Sequence, residues 1–150
     1  MTHLSLSRRH FLALSAAAWA GGDYDAQLAK RLGADEYGMK SYVLVMLKTG
    51  PNVSATKEER AKLFQGHMAN IRRLAAEGKL VVAGPFAENE RHYEGIFVFN
   101  ITKVADADAL LKTDPAVAAG LLAYEAYGWY GSAALQEAVS IHKRIAKASP

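Results

Sequence analysis

Residues 42–47 read Tyr42-Val43-Leu44-Val45-Met46-Leu47, and residues 95–99 read Gly95-Ile96-Phe97-Val98-Phe99. Both are short, continuous apolar runs rich in β-branched and aromatic side chains, the pattern of buried strands. Successive side chains of a strand point to opposite faces of its sheet. In the first run Tyr42, Leu44 and Met46 therefore face one way, and Val43, Val45 and Leu47 the other. Both sets are apolar, so both faces of the sheet need cover.

Working outward from that run, Thr49-Gly50-Pro51-Asn52 breaks the strand. Ser54 or Thr56 then caps a helix whose first turn carries Glu58 and Glu59 against the helix dipole. Phe64, Ile71 and Leu74 form the apolar stripe of that helix, with Met68 beside it, and Gly78 supplies its stop. Residues 80–83 predict a second strand, ended by the turn Gly84-Pro85-Phe86. A polar stretch, 87–94, joins it to the 95–99 run as an antiparallel pair. Residues 106–112 predict a short helix. Asp114-Pro115 punctuates it, and Pro115 suits the first position of a further helical turn over 116–121. Residues 124–130, with Tyr124, Tyr127, Trp129 and Tyr130, predict the last strand.

The resulting order over residues 40–131 is β-α-β-β-α-β, a ferredoxin-like α+β domain. Two helices cover one face of such a sheet. The simplest cover for the other is a second copy of the same sheet, which predicts a homodimer with a two-sheet interior. Outside this domain, residues 21–39 form an N-terminal extension with a short helix ended by Gly33. Residues 132–150 hold a C-terminal amphipathic helix carrying Leu135, Ala138, Val139, Ile141 and Ile145.

A chain of 150 residues, 51% apolar and 22% charged, has the material for one packed domain and is not a disordered segment. Without cysteine it has no disulfide, thiolate metal site or cysteine nucleophile. Residues 1–20 combine Ser7-Arg8-Arg9-His10-Phe11-Leu12 with an apolar stretch ending Ala18-Trp19-Ala20. A cationic head, an apolar middle and a small-x-small end are the parts of an export signal, and the paired arginines resemble the twin-arginine type. The expectation is a periplasmic or exported protein, with the cytoplasm as the location if the signal is unused. Beyond residue 20 the balance is 16 basic against 15 acidic residues, which offers no basic face for nucleic acid. No apolar run approaches the roughly 18 residues of a membrane span.

Few residues are left to carry chemistry. No HExxH, GxSxG, Gly-rich phosphate loop or closely spaced His/Asp/Glu ligand set is present, so neither metal nor cofactor is expected. Three histidines follow residue 20, and His67 alone falls on an apolar helix stripe, three residues after Phe64 and four before Ile71. Two readings fit it: a core histidine with satisfied hydrogen bonds, or a site histidine tuned by a neighbour. Asp114 is explained by capping the turn that Pro115 begins, and Gly84-Pro85 by ending a strand.

Taken together, Tyr42-Val43-Leu44, a helix with His67, Gly78-Lys79-Leu80, Ala83-Gly84-Pro85-Phe86, Gly95 and Asp114-Pro115 resemble the YciI-like (YCII-related) family. The resemblance spans about residues 40–131. It implies a dimeric α+β barrel and a cleft with a His–Asp pair, His67 and Asp114 by position. Gly84, Pro85 and Phe86 would border that cleft and bind substrate. A relative in the family dehydrochlorinates chlorinated hydroxyhydroquinones, and the wider barrel superfamily includes muconolactone isomerases. By that likeness the chain is a cofactor-independent enzyme of lyase, isomerase or dehalogenase type. Its substrate would be a small cyclic or aromatic molecule, with His67 moving a proton and Asp114 fixing its tautomer. The export signal, the N-terminal extension and the C-terminal helix depart from the family pattern. The alternative is a non-catalytic exported small-molecule-binding or assembly domain.

Overall fold

A computed structural model describes residues 23–148. The export signal expected over residues 1–20 lies outside the described residues. Four antiparallel strands, β1 (Met39–Thr49), β2 (Leu80–Pro85), β3 (Tyr93–Phe99) and β4 (Leu122–Ser132), form one sheet in the order β2-β3-β1-β4. Helix α1 (Ala26–Leu32) precedes the sheet. Helix α2 (Lys57–Ala76) connects β1 to β2, and α3 (Val104–Leu111) with α4 (Pro115–Ala118) connects β3 to β4. This is the ferredoxin-like arrangement that the alternation of elements predicts.

Register explains the two apolar sets of β1. Val43, Val45 and Leu47 stand opposite Phe99, Phe97 and Gly95 of β3 and opposite Gly128, Ala126 and Tyr124 of β4. Of these, Val43, Val45, Leu47, Phe97 and Phe99 form the main core with Leu74 of α2, Ala107 and Leu111 of α3, and Ala116 of α4, and Tyr124 and Ala126 pack against it. Phe64 was expected on the buried stripe of α2 but is 40% exposed; Leu63 packs against the core in its place.

On the opposite face, Tyr42 and Val98 build a smaller cluster with Val81, Leu44 and Val82. Part of the cover on this face comes from the chain's own C-terminal segment. The C-terminal segment is not one helix but a 3-10 turn, Ala133–Glu137, followed by α5, Ala138–Ile145. Leu135 of the 3-10 turn packs onto the small cluster. The Tyr42 hydroxyl donates to the Ser132 carbonyl at 2.9 Å, and the Trp129 ring lies 5.9 Å from that of Tyr42. The chain thus covers one end of its own second face. Helix α5 buries none of its residues and leaves Ile141 and Ile145 exposed. No helix among the described residues is long and apolar enough to cross a membrane.

Strand β2 also differs from the expected turn. It runs through Gly84 and Pro85, paired with Ile96 and Gly95. Proline is accepted because β2 is an edge strand with no partner awaiting its missing N–H. Gly95 permits the pairing: a Cβ there would stand 2.6 Å from the Gly84 carbonyl oxygen.

Candidate active site

Helix α2 begins with a capping box. The Thr56 hydroxyl accepts from the Glu59 N–H at 3.2 Å, and the Glu59 carboxylate accepts from the Thr56 N–H at 2.7 Å. With the helix started there, His67, Asn70 and Leu74 fall on its buried side, at the i, i+3 and i+7 spacing of one face. Gly66 lets that side approach α4 closely, since a Cβ would stand 2.8 Å from Pro115 Cγ. The approach sets His67 beside Asp114, 47 residues further along the chain.

Asp114 does two jobs. Its Oδ1 caps α4, accepting from the backbone N–H groups of Ala116 at 2.9 Å and Val117 at 3.4 Å. Its Oδ2 lies 2.6 Å from His67 Nδ1. Asp114 has no exposed surface and His67 keeps 8%. Burial pushes the Asp114 carboxyl up, but the His67 hydrogen bond and charge, with the two backbone donors, outweigh it. The net effect holds the group below its ordinary value. The carboxylate only accepts, so Nδ1 carries the proton. In the neutral ring the lone pair is then on Nε2. Among the described residues no buried side-chain nitrogen or oxygen lacks a partner, and the one hydrogen bond His67 makes is through Nδ1. The Nε2 atom therefore keeps an opening to solvent.

Aromatic rings pack against the imidazole. Phe97 of β3 stacks on the imidazole at 5.8 Å, and Phe64 meets it edge-on at 5.7 Å. Phe97 pairs with Ala83 across the β2–β3 ladder, which places Gly84, Pro85 and Phe86 next along the exposed outer strand. Of these, Pro85 shares the sheet face of Phe97, because alternate positions point the same way. Phe86 lies just past the strand, its ring 6.2 Å from Tyr93. So the structure joins His67 and Asp114 directly, whereas Gly84 and Pro85 pair with Ile96 and Gly95 of β3 and Phe86 packs near Tyr93. Two adjoining surface grooves, of about 370 Å³ between β2 and α5 and about 330 Å³ between α2, β2 and α5, do not include His67.

A family model, the YCII-related domain, matches residues 41–129. The chain belongs to the YCII-related family. The match begins inside β1 and ends inside β4, so the family domain is the sheet with α2, α3 and α4, and it contains both members of the pair. Among solved structures, a 5-chloro-2-hydroxyhydroquinone dehydrochlorinase from Burkholderia phenoliruptrix AC1100, determined with 2,5-dihydroxybenzoquinone, is similar to the chain. It shares 18% identity at a TM-score of 0.43, over 58% of this chain and 92% of that one. No curated protein matches.

Sequence reading passes over Asn70, although it is 6% exposed and its Nδ2 lies 3.5 Å from Asp114 Oδ2. The signal was available: a polar residue three positions after His67, on the same helix face. Among the described residues no three or more His, Cys, Asp or Glu side chains converge as a metal site would require.

Proposed function

We propose that this member of the YCII-related family is a cofactor-independent acid–base enzyme acting on a small cyclic or aromatic molecule, of lyase, isomerase or dehalogenase type. The observation that carries the proposal is the buried His67–Asp114 pair, 2.6 Å apart, with the imidazole packed against Phe64 and Phe97. The neutral ring takes a proton from substrate at Nε2. The resulting imidazolium is stabilised by the Asp114 carboxylate, which keeps Nδ1 protonated throughout. Returning that proton to a different substrate atom gives isomerisation. Expulsion of a leaving group as an anion, with the electrons of the broken C–H bond forming a double bond, gives elimination. The exposed Phe64 ring beside His67 offers flat apolar contact to a planar substrate, while the buried Phe97 backs the imidazole.

Screening hydroxylated and halogenated aromatics and small lactones, with halide release and solvent-deuterium incorporation as readouts, tests the reaction. In His67→Ala we expect turnover to fall by about a hundred- to ten-thousand-fold, with the fold intact by circular dichroism. Unchanged turnover in the folded variant overturns the proposal.

A second reading is a binding or assembly domain. It is favoured by the same Asp114 capping α4 and by the packing of His67 between two phenylalanines, both of which are structural uses. Binding of a screened compound without conversion would support that reading. In either case a second copy covers the rest of the sheet face carrying Leu44, Met46, Ile96 and Tyr127, which the 3-10 turn leaves partly open.

A further inference from the structure

Asp114 Oδ2 faces a second donor that the proton transfer itself does not use. The side-chain amide of Asn70 is oriented by its other partners. Its Oδ1 accepts from the Arg73 guanidinium at 2.7 Å and lies 3.1 Å from the Thr113 hydroxyl. Arginine has no acceptor, so the amide oxygen must face it and Nδ2 must face the Asp114 carboxylate. The same Arg73 nitrogen donates to Thr113 Oγ1 at 2.9 Å, and that hydroxyl lies 2.6 Å from the Leu110 carbonyl. The other guanidinium nitrogen donates to Glu77 at 2.7 Å. One surface arginine thus ties α2 to the residue just before Asp114 and fixes the buried amide between them.

We infer that Asn70, locked by Arg73 and Thr113, is a positioning residue for the His67–Asp114 pair. It holds Asp114 Oδ2 toward the His67 ring and donates to that oxygen, while Oδ1 stays with the N-terminus of α4. The inference rests on the pair in the proposed function, but its test needs no substrate.

The readouts are the exchange rate of the His67 Nδ1 proton and the titration of the Asp114 carboxyl carbon, both by NMR on the intact chain. In Asn70→Ala the ring proton should exchange about tenfold faster, as expected for loss of one hydrogen bond to a charged group. The Asp114 titration should move up. Arg73→Gln changes a half-exposed side chain and keeps the fold even where Asn70→Ala does not; it should move both readouts the same way, by less. A merely structural Asn70 would lower the melting temperature and leave both readouts at their wild-type values, which overturns the inference. A wild-type His67 with no protected ring proton overturns the proposed function as well. A protected proton that neither folded variant affects overturns this inference alone.

Discussion

At the scale of the residue, Asp114 links stability to chemistry. Its carboxyl is wholly buried and is held below the ordinary carboxylate value despite that burial, because His67 and the N–H groups of Ala116 and Val117 act on the ionised form. A group whose folded value is depressed contributes stability that is fully present above its unfolded value, roughly pH 4. That contribution is lost as pH falls through the folded value. Asp114→Asn should therefore cost about 1–3 kcal/mol at pH 7, the worth of a hydrogen bond to a charged group. The difference from wild type should shrink as pH drops below 4. Urea unfolding at pH 7, 5 and 3 measures it, and a gap that stays constant across this range would contradict the assignment of charge to Asp114.

At the scale of the element, the site depends on how closely α2 approaches α4. His67 reaches Asp114 because Gly66 presents no side chain to Pro115, whose ring would stand 2.8 Å from a Cβ. A proline ring is not the flexible end of a side chain, so the helix must shift to make room. Gly66→Val should cost about 1–3 kcal/mol of stability through overpacking, and it should lengthen the His67–Asp114 contact. Thermal melting and the His67 ring proton signal would show both effects. An unchanged ring signal in a destabilised variant would mean that the pair does not depend on this contact.

At the scale of the whole molecule, the two sheet faces are treated differently. The helices seal one face, while the other is sealed at one end by Leu135 and Trp129 and left half-buried at Leu44, Met46 and Ile96. Apolar strand residues left in this state are the surface that a second sheet would bury. Met46→Lys places a charge on that surface without touching His67 or Asp114. It should convert a dimer of about 32 kDa, twice the 16.2 kDa chain, into monomer by light scattering. A wild-type protein that is already monomeric would remove the dimer from the proposal.

Local pattern determined most of the elements. The continuous apolar run of β1, a cap at Ser54 or Thr56, the Gly33 and Gly78 stops and the Asp114-Pro115 punctuation depend on neighbours a few residues away, where sterics and capping act. His67 stood out for a similar reason, as a polar residue on an apolar stripe. What the elements meet was not legible in the same way. Continuing β2 through Pro85 depends on Gly95 in another strand, and the split of the C-terminal segment depends on Tyr42 and Val98 beneath Leu135. Asp114 could be read as a cap alone, because capping is local, whereas its second partner arrives from 47 residues away. Asn70 shares the helix face of His67, three positions on, but that spacing does not show which partner its amide meets. The sequence by itself determined the order of strands and helices and a single domain with two apolar sheet faces. Only the tertiary structure decided that His67, Asn70 and Asp114 meet, because their contact is made by helix packing through Gly66 rather than by any spacing along the chain.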